Sequence, residues 1–94
     1  MHMKFSSDTG ERIRILIGDA HFADRTELTR LLCSQPDIEL IGVTSDGAQA
    51  LQMLRELRPN VALLDEDLPS FGGCAVARIL KTELPDVQVM VLRN

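Results

Sequence analysis

"ALLDEDLPSFGG", residues 62–73, decides the fold. An apolar run stops at three consecutive acids, Asp65, Glu66 and Asp67, and Pro69 and the pair Gly72 and Gly73 follow. The apolar part, "VALL" (61–64), reads as a short strand bounded by turn-forming residues. Acids crowded at the end of a buried strand repel one another. Either they spread into solvent as loop residues, or they face something that offsets their charge.

The chain on either side repeats one alternation. "IRILIG" (13–18) is a strand buried on both faces, ending at Asp19. From Phe22 the spacing turns helical, with Phe22, Leu28, Leu31 and Leu32 on one face and Arg25, Glu27 and Arg30 toward water. Pro36, in "SQPD" (34–37), cannot continue that helix. "IELIGV" (38–43) is a second strand, and "TSDG" (44–47) offers caps for a helix carrying Ala50, Leu51, Leu54 and Leu57 inward. Arg58 and Pro59 stop it. After the acids, a third helix carries Val76, Ala77, Ile79, Leu80 and Leu84 inward, and Pro85 ends it. "VQVMVL" (87–92) is the fourth strand. Helical crossovers between strands 23 to 26 residues apart predict an α/β fold with an open parallel sheet.

Composition narrows the function. The chain has 94 residues, enough for one domain, with 45% apolar and 26% charged residues. With no Trp, no Tyr and three Phe, the core must be aliphatic. A net charge of −4 argues against direct nucleic-acid binding, which needs a basic surface. Cys33 and Cys74 lack the spacing of a zinc site or redox pair and are expected to be buried, reduced thiols of a cytoplasmic protein. No apolar run approaches the ~18 residues of a membrane span. Residues 1–12 read as a flexible tail whose first three residues are a cloning remnant, leaving 13–94 as the domain.

In a parallel sheet, ligands bind beyond the carboxyl ends of the strands. With the order 2-1-3-4, Asp19 and Asp65 end adjacent strands and lie a few ångströms apart. A divalent cation relieves their repulsion, and oxygen-only ligation suits Mg²⁺. A carboxylate beside Mg²⁺ can attack a phosphoryl group.

These residues, with Pro69 and Gly73 at set offsets, resemble the receiver domain of bacterial two-component response regulators, above all those carrying a C-terminal helix-turn-helix. The resemblance covers 13–93 and rests on "IRILIGDAHFADRTELTRLL" and "SDGAQALQMLRELRPNVALLDEDLPSFGG". It implies a flavodoxin-like sheet, with Asp65 as the phosphoacceptor charged by a histidine kinase. Asp19 would be a metal ligand, Asp67 would hold the metal through its backbone carbonyl, and Pro69 and Gly73 would shape the loop. The implied output is transcriptional, and the domain is not an enzyme on a separate substrate.

Three departures qualify this. Ala20 stands where the family has a second acid, so Mg²⁺ binding is expected to be weak. Arg93 stands where a Ser or Thr contacts the phosphoryl group; it either takes over that contact or imitates the neutralised state. The fifth strand, its lysine and the last two helices of a full receiver are absent. That leaves the fourth strand as an open edge, so a homodimer or an exchange of elements through it is expected. A degenerate receiver, acting as an interaction module without phosphorylation, is the alternative. A flavin- or nucleotide-binding domain would want a Gly-rich loop where "GDAHFAD" stands.

Overall fold

The computed structural model describes residues 11–93. The tail and cloning remnant expected over 1–12 fall mostly on residues 1–10, which lie outside the described residues. The order is β1 (Ile13–Gly18), α1 (Phe22–Cys33), β2 (Ile38–Thr44), α2 (Gly47–Leu57), β3 (Val61–Asp65), α3 (Gly73–Glu83) and β4 (Gln88–Leu92). Every strand pair is parallel, and the sheet runs β2-β1-β3-β4. Strand and helix order, sheet direction and strand sequence are as the sequence predicts, with ends differing by a residue.

Alternation along the strands builds two unequal faces. Leu16, Ala62 and Leu64 point to the face covered by α2 and α3, where Ala50, Leu51, Leu54, Val76, Leu80 and Leu84 complete an aliphatic core. Ile15 and Ile17, also buried, point to the opposite face, under α1. The α2 start is fixed by Asp46, whose carboxylate accepts from the Gln49 N–H at 3.0 Å. Its end is fixed by Arg58, which adopts the left-handed conformation (φ 47°) immediately before Pro59. Arg14 of β1 reaches across to that end and donates to the carbonyls of Leu57 and Arg58, at 2.9 and 3.0 Å.

Two expectations need correcting. The spacing in α1 gives it an inward apolar face, yet no residue of α1 is buried: Phe22 is 75% and Leu31 45% exposed. One helix alone lies on that side of the sheet among the described residues, and a lone helix has no neighbour to enclose its flanks. The cysteines are free but not buried: Cys33, at the end of the same helix, is exposed and Cys74 is half-buried. The β4 edge has a neighbour on one side only among the described residues, and its Met90 is 54% exposed. No helix among the described residues is long and apolar enough to cross a membrane.

Candidate functional site

Register sets the site. Gly18 pairs with Leu64, so the next residues, Asp19 and Asp65, emerge side by side at the carboxyl ends of β1 and β3. Both are almost fully buried, 3% and 4% exposed. Gly18 lies close to the core: a Cβ there would stand 3.0 Å from the Leu64 side chain and 3.2 Å from that of Leu68. The acids line one end of an open cavity of about 330 Å³ whose other walls are Asp24, Glu27, Leu28 and Leu92. Among the described residues, every charged one lining it is negative.

The two buried carboxylates have opposite environments. Burial raises Asp19 above the ordinary carboxylate pKa, and the charge of Asp65 adds to the rise, against a single lowering hydrogen bond from the His21 N–H (2.9 Å). Burial also acts upward on Asp65. There it is outweighed by the N–H of Asp67 (2.9 Å) on Oδ1 and that of Ala20 (3.2 Å) on Oδ2, with help from Asp19 and His21, so Asp65 lies below the ordinary value. The structure thus makes Asp65 the more readily ionised of the two.

Asp67, exposed, pairs with the His21 ring, Nε2 to Oδ2 3.3 Å. The same nitrogen is 3.7 Å from Asp65 Oδ2. Its hydrogen bond with Asp67, then the Asp65 and Asp19 charges, raise the His21 pKa above that of a free imidazole. His21 has no expected role in the site, although it stands two residues after Asp19 and matches the His that often follows the acid pair in the receiver resemblance. Glu66 was read mainly as a loop residue, yet its Oε1 accepts from the Cys74 N–H at 2.7 Å and satisfies the start of α3, whose own first turn has no acid.

The loop of Pro69 and Gly73 is fixed from two sides. The Pro69 carbonyl accepts from the N–H groups of Gly47 and Phe71, each at 2.9 Å. A Cβ on Gly73 would stand 2.7 Å from the Leu64 carbonyl, so the start of α3 packs directly on β3. Arg93 donates to Cys74 Sγ at 3.0 Å, and the charge of Glu66 also acts on it.

The donor chemistry fits a divalent cation. Asp19 and Asp65 bring hard oxygens from a buried floor, and the acidic walls favour positive charge. Ala20 leaves one direction without a carboxylate.

A parallel sheet ordered 2-1-3-4 with an acid pair at the carboxyl ends of its central strands defines a flavodoxin-like domain. The chain belongs to the response regulator receiver domain family, whose model matches residues 15–93. It is 35% identical over 80 residues to the response regulator GacA of Pseudomonas viridiflava, covering 85% of this chain and 37% of that one. It is 38% identical over 82 residues to the transcriptional regulatory protein LiaR of Bacillus subtilis, covering 87% and 39%. The receiver domain of the response regulator NarL from Mycobacterium tuberculosis superposes with a TM-score of 0.78 at 31% identity, over 88% of this chain and 65% of that one. The chain therefore spans under two fifths of the full-length relatives and just under two thirds of that solved domain. It is a receiver domain of two-component signal transduction.

Proposed function

We propose that Asp65 accepts a phosphoryl group from the phosphohistidine of a cytoplasmic histidine kinase. The observation that carries this is the buried pair, in which the N–H groups of Asp67 and Ala20 favour the ionised form of Asp65 while burial disfavours that of Asp19. An Asp65 oxygen attacks phosphorus; a P–O bond forms, the P–N bond breaks, and its electron pair returns to the kinase imidazole. The N–H groups of Ala20 and Asp67 orient the attacking carboxylate. Bound Mg²⁺, held weakly by Asp19, Asp65 and the Asp67 carbonyl, would neutralise charge on the phosphoryl oxygens. Arg93 follows Leu92, which lines the same cavity as Asp65, and would leave Cys74 for the stronger phosphoryl partner. Phosphorylation then changes the surface around α3 and β4 that an output, transcriptional by analogy with the relatives, would read. The domain itself acts on no separate substrate and does not contact nucleic acid.

Intact mass after incubation with Mg²⁺ and a small phosphodonor tests this. Wild type should gain one phosphoryl group and Asp65→Asn none; equal behaviour of the two defeats the proposal. A phosphorylation-independent interaction module is the second reading, and the specific features favouring it are Ala20 and the engagement of Arg93 with Cys74. We further propose that this 94-residue chain self-associates through the β4 edge. Sedimentation should show a mass above the monomer's that Val91→Pro removes, because proline breaks edge pairing. A monomer at high concentration refutes it.

A further inference from the structure

We propose that His21 makes the acid site a mixed nitrogen and oxygen site that prefers a borderline divalent ion, Zn²⁺ or Co²⁺, to Mg²⁺. The inference deepens the reading of the acid pair as a cation site and rests on it. His21 Nε2, Asp65 Oδ2 and Asp67 Oδ2 all lie within 4.8 Å of one another. Ligands at about 2.1 Å in a tetrahedral zinc site stand roughly 3.4 Å apart. The His21 nitrogen is 3.3 Å from one carboxylate oxygen and 3.7 Å from the other. An octahedral Mg²⁺ site, with ligands at about 2.1 Å, needs roughly 3.0 Å between neighbours.

Donor identity points the same way. Mg²⁺ takes oxygen and holds imidazole poorly, whereas zinc and cobalt bind imidazole readily. The chain lacks the carboxylate at Ala20 that would favour Mg²⁺ and offers an imidazole one residue later. The backbone that carries His21 and Asp67 is tied to the acid pair. The His21 N–H is fixed on Asp19 and the Asp67 N–H on Asp65, both at 2.9 Å. Among the described residues the adjoining cavity is lined by acids and leucines, and the nearby Arg25 guanidinium is taken up by the Asp19 carbonyl at 2.9 Å.

The test uses the 94-residue chain with His2→Ala, Cys33→Ser and Cys74→Ser, so that no other imidazole or thiol competes. Co²⁺ is the probe, added at neutral pH and followed by its visible d–d absorption, with Zn²⁺ and Mg²⁺ as competitors. We expect one equivalent of Co²⁺ with a tetrahedral spectrum, displaced by Zn²⁺ far more readily than by Mg²⁺. Losing even a group that supports a ligand costs roughly tenfold in metal affinity, so His21→Gln should weaken Co²⁺ by at least about tenfold and leave Mg²⁺ nearly unchanged. No saturable Co²⁺ binding, or equal binding by His21→Gln in a sample with native circular dichroism, overturns the inference. Phosphoryl transfer in Mg²⁺ alone is read separately by mass. A chain that binds Co²⁺ through His21 but takes no phosphoryl group keeps this inference and loses the phosphoacceptor, and the reverse result does the opposite.

Discussion

Gly47→Ala sets two effects of known size against each other. Gly47 opens α2, and its φ is not in the left-handed region, so alanine fits the backbone. Helix propensity alone favours alanine by up to about 1 kcal/mol. Packing says otherwise. An alanine Cβ would stand 1.8 Å from the Phe71 carbonyl oxygen and 2.7 Å from its carbon. The carbonyl would have to retreat by more than an ångström to reach any contact that real structures show. It has little freedom to do so. Ser70 bonds to Asp46 at 2.8 Å, Phe71 bonds to Pro69, and Gly72 lies so close to Glu66 that a Cβ there would sit 2.5 Å from its carbonyl. Overpacking of this kind costs about 1–3 kcal/mol and outweighs the propensity gain. Gly47→Ala should therefore destabilise by roughly 1–2 kcal/mol net, a factor of about 5–30 in the folding equilibrium. Urea unfolding followed by circular dichroism should show a lower midpoint at unchanged slope. Ala48→Gly, at the exposed next position, isolates propensity and should lose no more than about 1 kcal/mol. An unchanged or raised midpoint for Gly47→Ala would refute the packing argument.

Arg58→Gly should stabilise. Arg58 holds a left-handed conformation (φ 47°) that costs an L-residue about 1–2 kcal/mol, and glycine's extra unfolded freedom returns only part of that gain. A midpoint at or below wild type would show that the arginine side chain contributes a contact of its own. Asp46 gives a pH prediction. The Gln49 N–H first, then the Ser70 hydroxyl, hold its carboxyl below the ordinary pKa. A depressed folded pKa adds stability above the unfolded value, and that stability is lost as pH falls through the folded one. Asp46→Asn keeps an oxygen acceptor but does not titrate. Its deficit against wild type should be largest near neutral pH and shrink toward about pH 3. A deficit constant across that range would rule out the charge as its source.

The acid strand end, the alternation of elements and the strand order were legible because each rests on local pattern plus a general rule of connection. The burial of α1 was not. Apolar spacing at Phe22, Leu28, Leu31 and Leu32 says which side of a helix is apolar; whether anything encloses that side depends on elements elsewhere. Cys33 went wrong for the same reason, since thiols are usually buried but this one sits at the end of an uncovered helix. Glu66 looked like a solvated loop acid because its partner, the Cys74 N–H, is eight residues away and meets it only when the loop folds back on α3. The approach of His21 to Asp65 and Asp67 spans 44 and 46 residues, a distance no local pattern encodes.

Asp19 and Asp65 look alike in sequence, each the first acid after an apolar strand, and burial pushes both toward the neutral form. The backbone separates them. Asp65 receives two N–H groups, from Asp67 and Ala20, and Asp19 receives one, from His21. An N–H favours the ionised carboxylate, so the residue with two donors ionises more readily than its neighbour. Ala20 acts here through its main chain, which any residue but proline supplies. Losing a carboxylate at that position removes a donor to a cation and leaves the orientation of Asp65 intact. Metal affinity and the readiness of Asp65 to act as a nucleophile are therefore separable properties of this site. A substitution at Ala20 that restores an acid should change the first far more than the second.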